Sequence, residues 1–276
     1  MVTIIHLSDL HIRKGAERRD NRNAEHLVHY LVGRYGHRPR ESTFVIVTGD
    51  LVHSITRRHY ENLVATVLTP LQEKFRVLTV PGNHDYARMG HFFDPSGPPL
   101  FAEFVDGRRH PVVDDARSPD RYHRGQGCVR LIGLDTADKD DRVFLANGVL
   151  DERQVHKLKG LLAHHERDFL VVYLHHHPFN RNPFTAFRRY RRFLDTIQGK
   201  VNLILFGHKH VSAAFFDRCG VPLMLAAGKA TQSHRGALSF RVIRLNTKVD
   251  GFGEGLRGVR FYTEEIPAAP FPPRRG

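Results

Sequence analysis

Ile4-Ile5-His6-Leu7-Ser8-Asp9-Leu10-His11 decides the class of fold. Its first half is a short apolar run with β-branched residues, the pattern of a strand buried on both faces. Its second half sets a carboxylate and an imidazole immediately after that strand. In open α/β sheets, ligands bind just beyond the carboxyl ends of strands.

The same arrangement recurs outward along the chain. Val2–Leu7, Thr43–Thr48 and Phe75–Val80 read as buried strands. Between them, Asn23–Tyr35 and Arg57–Leu71 carry apolar residues at helical spacing, with Ala24, Leu27, Tyr30 and Leu31 forming one face. A β-α-β-α-β order predicts parallel pairing with crossover helices. The second strand ends in Thr48-Gly49-Asp50 and the third in Pro81-Gly82-Asn83-His84-Asp85.

From Tyr86 to Arg121 the pattern breaks, and five of the fifteen prolines fall there. This predicts an irregular insertion over 86–121, placed as a lid or a cover, with one helical turn around Leu100–Phe104. Strands resume at Val129–Leu134, Phe169–Leu174 and Val201–Phe206, with helices over Asp151–His164 and Phe184–Ile197. Val211–Phe216, Val221–Ala226, Leu238–Leu245 and Val259–Tyr262 read as consecutive strands of an antiparallel run. One domain over 1–265 and a proline-rich tail over 266–276 are expected.

Two further strands also end in titratable residues: His175-His176-His177-Pro178 and Gly207-His208-Lys209-His210. Several carboxylates and imidazoles at the mouth of a buried sheet require a compensating positive charge. Oxygen and imidazole donors without thiolate suit Mn, Fe or Zn rather than a structural cysteine-zinc site. Seven ligands exceed one tetrahedral ion but suit a pair sharing a carboxylate. Such pairs, about 3.5–4 Å apart, clamp a phosphoryl group for in-line attack by water.

The order Asp-x-His, Gly-Asp, Gly-Asn-His-Asp, His and Gly-His-x-His resembles the calcineurin-like metallophosphoesterase superfamily, over roughly 1–245. The phrasing of Ile5–His11, Gly49-Asp50-Leu51, Val80–Asp85 and Ala226-Ala227-Gly228 is similar to the bacterial cyclic-nucleotide phosphodiesterase branch. The resemblance implies a four-layer α/β/β/α sandwich of two mixed sheets flanked by helices. It implies two divalent or trivalent metal ions, one held by Asp9, His11, Asp50 and His210. The other would be held by Asp50, Asn83, His175 and His208, with Asp50 bridging. It also implies that His84 faces the substrate, that Asp85 orients it, and that a metal-bridging hydroxide attacks a phosphodiester or phosphomonoester. In the triple-histidine run, counting from the proline favours His175 as the ligand, and His176 is the alternative, since a one-residue slip turns the side chain to the other face. Val52-His53-Ser54-Ile55 departs from the acid or glycine that many relatives carry there. The Gly-Asp-x-x-Asp-Arg-Gly stretch of protein Ser/Thr phosphatases is absent, which argues against phosphoprotein substrates.

Composition sets the remaining bounds. With 41% hydrophobic and 26% charged residues, the chain is not a disordered one. Two cysteines rule out a disulfide framework, and the first residues lack a secretory leader, so a cytoplasmic location is expected. No apolar run approaches the roughly 18 residues of a membrane span. The net charge of +13 suits an anionic phosphoester; nucleic acid or anionic lipid surfaces are the other partners it fits. A nuclease and a lipid-linked pyrophosphate hydrolase are accordingly the alternative enzymes. A metal-free scaffold would lack ligands, and none is missing. In Arg188-Arg189-Tyr190-Arg191-Arg192 the apolar spacing of Phe187, Tyr190, Leu194 and Ile197 predicts a crossover helix with a solvated basic flank. Oligomeric state is open.

Overall fold

The computed structural model describes residues 1–15, 17–107, 112–116, 128–137, 146–166 and 168–270. The first run is β1 (Val2–Leu7), α1 (Arg19–Tyr35), β2 (Thr43–Thr48), α2 (Arg57–Leu63), α3 (Thr69–Lys74) and β3 (Arg76–Val80). A less regular stretch follows, with the one-turn helix α4 (Asn83–Tyr86), β4 (Ala87–Arg88), β5 (Phe92–Phe93), α5 (Gly97–Phe104) and β6 (Val112–Ala116). Next come β7 (Val129–Gly133), β8 (Gly148–Val149), α6 (Glu152–His164), β9 (Phe169–Tyr173), β10 (Phe187–Arg188), α7 (Tyr190–Ile197) and β11 (Leu203–Phe206). β12 (Ala213–Arg218), β13 (Val221–Ala226), β14 (Ala237–Leu245) and β15 (Val259–Pro267) complete the order.

Two mixed sheets result. One has the order β15-β14-β1-β2-β3, the other β12-β13-β11-β9-β7-β6. In the first, β1, β2 and β3 run parallel, and β14 lies antiparallel to β1. In the second, β13, β11, β9 and β7 run parallel, with β12 and β6 antiparallel at the edges.

Residue parity along the strands assigns the layers. Val2 and Ile4 of β1 join Phe44, Leu205 and Leu225 in a core between the two sheets. Ile5 and Leu7, on the opposite face, pack with Leu27, Leu31 and Leu63 of the helices. In β9, Val171 and Tyr173 face the first sheet, whereas Leu170 and Val172 face α6 and α7 through Leu158 and Ile197. Three cores separate four layers, helix, sheet, sheet and helix, as the family resemblance implies. Both faces of the central strands are apolar because both are covered.

Several boundaries differ from the sequence reading, each for a physical reason. The helix expected over Arg57–Leu71 contains a π turn at Val64–Leu68 before α3, whose first turn holds Pro70. Proline has no N–H to donate back to the preceding turn, and the helix widens there. The helix expected from Phe184 begins only at Tyr190. Phe187 pairs in β10, and Arg189 adopts a left-handed φ of 56°, which no continuous helix permits. The basic flank is tied to α6, since Arg189 and Arg192 both meet Glu152.

The supposed four-strand antiparallel run is two hairpins in different sheets: β12 pairs β13, and β14 pairs β15. The tail begins later than expected, because β15 continues to Pro267 and Ile266 is 2% exposed opposite Leu238. Within the 86–121 stretch, α5 packs down rather than standing free. Phe101 is buried, and Phe104 stacks on Tyr60 at 5.7 Å. Residues 108–111, 117–121 and 271–276 lie outside the described residues.

His6 shows what burial does to an imidazole in β1. It is 0% exposed, and its Nε2 lies 3.0 Å from Thr48 Oγ1, whose hydroxyl donates to Leu7 O. Burial, and next the charge of Arg241, lower its pKa to about 3. The folded chain therefore refuses a proton that the unfolded chain accepts below about 6.5. Stability from this group is complete at pH 8 and is lost on acidification, by about 2 kcal/mol at pH 5. Urea unfolding of the parent and of His6→Gln at pH 8 and pH 5 should show their difference narrowing by that amount. A constant difference would contradict a buried neutral His6.

Candidate metal centre

The strand-end loops interlock through their backbones. Asp9 N donates to Gly49 O at 3.0 Å, and His11 N donates to Asp50 O at 2.9 Å. Gly207 N donates to His175 O at 3.0 Å within the second sheet, and Ala230 N donates to Ser8 O at 3.0 Å, bringing that sheet to the same mouth. Asp9, His11, Asp50, His208 and His210 all have positive φ, between 49° and 74°. Asp and His enter this region more readily than bulkier residues, yet each costs on the order of 1 kcal/mol. Strain gathered on five chemically active residues marks a site whose geometry is imposed by its surroundings.

Four hydrogen-bond acceptors converge on one side. His175 Nδ1 lies 2.7 Å from Thr48 O and His208 Nε2 lies 3.0 Å from Thr185 O. Each carbonyl takes the ring proton on its own side, so His175 Nε2 and His208 Nδ1 carry lone pairs. Asn83 Nδ2 donates to Gly90 O at 2.9 Å, which turns Oδ1 inward. Asn83 Oδ1 then sits 3.1 Å from both histidine nitrogens, which are 3.2 Å from each other. Asp50 Oδ1 is 3.5 Å from His175 Nε2. Lone pairs facing lone pairs at these distances repel unless a cation lies among them. Ligands about 2.1 Å from a common ion are separated by about 3.0–3.4 Å, close to the spacings present. The donor set fits a first-row metal ion.

A second group adjoins it. Asp9, His11, Asp50 and His210 each bring a ligand atom within 4.8 Å of the others. Asp9 Oδ2 accepts from Ser8 Oγ at 2.6 Å and from His208 N at 3.1 Å, leaving Oδ1 facing His210 Nε2 at 3.2 Å. His11 Nε2 is 3.2 Å from His210 Nε2 and 3.7 Å from Asp50 Oδ2. Asp50 thus directs one oxygen to each group.

The electrostatics agree. Burial, and then the neighbouring His84, hold His11 well below the ordinary imidazole value. Burial and His175 lower His208 to about 3. Both stay neutral, the form that binds metal. Burial works to raise Asp9, but the His210 hydrogen bond and the surrounding imidazoles bring it below the usual carboxylate range. Burial works to lower His210, yet its bond to Asp9 and that carboxylate's charge raise it. This pocket draws positive charge.

Of the two neighbouring histidines, His175 points among Asn83, His208 and Asp50, whereas His176 turns its Nδ1 to Thr136 Oγ1 at 2.8 Å. One expectation is corrected. Asp85 does not orient the His84 ring: its carboxylate accepts from Gly82 N at 2.8 Å, Val52 N at 3.1 Å and Leu51 N at 3.2 Å. It locks the two loops that carry Asp50 and Asn83, as a positioning residue. Burial, and then the charge of Asp50, raise its pKa to about 7. The ring of His84 is held instead by the carbonyl of His53, 2.7 Å from Nδ1.

Ser8, Thr185 and His53 therefore belong to the site although the sequence did not single them out. Ser8 could have been suspected from a hydroxyl beside the ligand aspartate; the other two act through backbone carbonyls and leave no signal. Gly207 is required by contact alone, since a Cβ there would lie 1.8 Å from Ser8 Oγ.

Two sheets delivering Asp, Asn and His to one mouth define an α/β protein with two adjoining candidate metal sites. The model of the calcineurin-like phosphoesterase family matches residues 2–212, and the chain belongs to that family. It is a metal-dependent phosphoesterase. A probable cyclic nucleotide phosphodiesterase of Vesicomyosocius okutanii is 28% identical over 200 residues, covering 68% of this chain and 70% of that one. A dimetal phosphatase from Danio rerio shares the fold with a TM-score of 0.62 at 15% identity, covering 97% of this chain and 99% of its own. GAP50, the anchor in the inner membrane complex of Plasmodium, superimposes with a TM-score of 0.59 at 13% identity, over 98% of this chain and 89% of its own.

Proposed function

We propose that the protein hydrolyses a nucleotide-type phosphodiester such as a cyclic nucleotide, using a pair of Mn, Fe or Zn ions. Asp9, His11, Asp50 and His210 would hold one ion, and Asp50, Asn83, His175 and His208 the other. The observation that carries the reading is the set of inward lone pairs on His175, His208 and Asn83, with Asp50 turned to both groups. When bound, the ions clamp phosphoryl oxygens and activate a water for in-line attack. The rest falls to the chain. His84 donates from Nδ1 to His53 O, so its other nitrogen is the one free to act on substrate. As imidazolium it donates from Nε2 to the departing oxygen while the His53 carbonyl supports the charge. Asp85 and Ser8 fix the loops and the aspartate so that these distances persist.

The cyclic-nucleotide preference rests on the 28% identical relative. Among the described residues no helix is long and apolar enough to cross a membrane. The nucleic-acid and lipid alternatives rest on the charge of +13 and, for lipid, on the apolar residues of the 86–121 stretch. Purified protein reconstituted with each metal is assayed on 3′,5′-cyclic nucleotides, bis(p-nitrophenyl) phosphate, p-nitrophenyl phosphate and DNA. The expected kcat/KM for the diesters exceeds that for the monoester by about tenfold or more, or 1.4 kcal/mol of differential transition-state binding. Faster cleavage of DNA, with a steep fall in binding as salt rises, would replace this reading with a nuclease.

A further inference from the structure

A lysine sits where two metal cations would repel it. Lys229 follows β13 at the same end of the sheets as the candidate ligands. Its loop is bound to the first ligand segment, with Ala230 N donating to Ser8 O at 3.0 Å and Thr231 Oγ1 to Leu10 O at 2.9 Å. The side chain is only 14% exposed, and Nζ lies 3.2 Å from Asp20 Oδ2. Arg13, two residues beyond His11, reaches the same oxygen with Nε at 3.7 Å. Asn21 pins Arg13 from both sides, accepting from its N at 2.9 Å and donating to its O at 2.8 Å. Lys229 and Arg13 thus share one carboxylate, and one positive charge is left over. The Lys229 charge also reaches His11 and His210, where it opposes protonation.

A half-compensated, largely desolvated ammonium beside a dimetal site is costly unless a second anion joins it. Asp20 cannot be that anion, because it is already shared. The ions themselves add charge of the same sign.

We infer that Lys229 and Arg13 form a subsite for a second anionic group of the substrate, such as a further phosphate on the nucleotide, next to the Asp9–His11–His210 side of the centre. The inference rests on the phosphodiesterase reading and narrows its substrate class. A simple cyclic nucleotide would leave the subsite to solvent anions; a nucleotide with an additional phosphate would fill it.

The test uses metal-loaded enzyme and two chromogenic esters, thymidine 5′-(p-nitrophenyl phosphate) with and without a 3′-phosphate. The parent should show a kcat/KM ratio of about tenfold in favour of the phosphorylated ester, carried mainly by KM, as expected of a charge-assisted contact. Lys229→Met should bring the ratio toward one, and Arg13→Gln should lower it part-way. Asp20→Asn frees both cations and should raise the ratio, about threefold, a direction that mere structural damage does not produce. A ratio near one in the parent, or a ratio unmoved by Lys229→Met and Asp20→Asn, overturns the subsite. Should Lys229→Met not fold, the Arg13→Gln and Asp20→Asn pair decides alone. Calorimetric titration of thymidine 3′,5′-bisphosphate and thymidine 5′-monophosphate reads the same preference as binding. It decides the subsite even where neither ester is cleaved, an outcome that would overturn the phosphodiesterase reading instead.

Discussion

Asp50→Asn is expected to leave a folded protein with about one bound metal ion instead of two, and turnover reduced at least about 10³-fold. The direction follows from which oxygen the amide must replace. Asp50 Oδ1 accepts the His84 backbone N–H at 2.8 Å, so an NH2 group placed there would set donor against donor. The amide nitrogen must take the Oδ2 position, which lies 3.7 Å from His11 Nε2. An NH2 group there offers no lone pair to an ion and turns its protons toward the imidazole, so the Asp9–His11–His210 group loses a ligand. The other group keeps an oxygen of residue 50 and its three remaining ligands. Loss of supporting contacts around a ligand already costs about 10–100-fold in metal affinity, and loss of a shared ligand should cost more. Metal content by plasma mass spectrometry, thermal melting and diester turnover together check the result. Two ions retained with parental turnover would remove Asp50 from the bridging role.

The site's logic is that the backbone bears the strain while the His11 and His208 imidazoles stay neutral. Five left-handed residues aim short polar side chains inward, and backbone carbonyls set the histidine tautomers. This arrangement spends few charged groups. Asn83 offers a neutral oxygen, so an ion held there would keep more of its charge for the phosphoryl group. The same economy explains why Asp85, though a buried carboxylate, takes three backbone N–H groups rather than a ring partner.

Much of this was legible along the chain because buried strands write themselves as unbroken apolar runs. Val2–Leu7, Thr43–Thr48 and Val221–Ala226 match their strands end to end. Ligand candidates were legible for the same reason, since polar residues directly after such runs stand out. What sequence could not carry was any role played by backbone. The family resemblance gives Asp85 the task of orienting His84, whereas its partners are the amides of Leu51, Val52 and Gly82. The residues from Phe184 kept helical spacing through Ile197, yet Phe187 had a better use as a β10 partner of Gly148. Nor could local pattern tell that β13 and β14, eleven residues apart, belong to different sheets. Parity separated two neighbouring imidazoles only once Thr136 was seen to hold His176.

His84→Ala should lower kcat on a cyclic nucleotide by about 10²–10⁴-fold, the usual worth of a positioned proton donor, with two metal ions still bound. Metal is expected to stay because the ring makes no contact with Asp9, Asp50 or Asn83 among the described interactions. It meets His11 edge-to-face, with centroids 4.5 Å apart, and is anchored by Nδ1 to the His53 carbonyl. The backbone N–H of residue 84 still reaches Asp50 in the alanine variant. Room at Nε2 is kept by Gly90, whose φ is +76° and where a Cβ would lie 2.3 Å from that nitrogen. The leaving group separates the two things the ring can do. A ribose alkoxide must be protonated as it departs, whereas p-nitrophenoxide leaves unaided. If His84 is the acid, the loss on bis(p-nitrophenyl) phosphate should shrink to below about tenfold. An equal loss on both substrates would make the ring a holder of phosphoryl charge instead, and loss of a metal ion would make it a ligand.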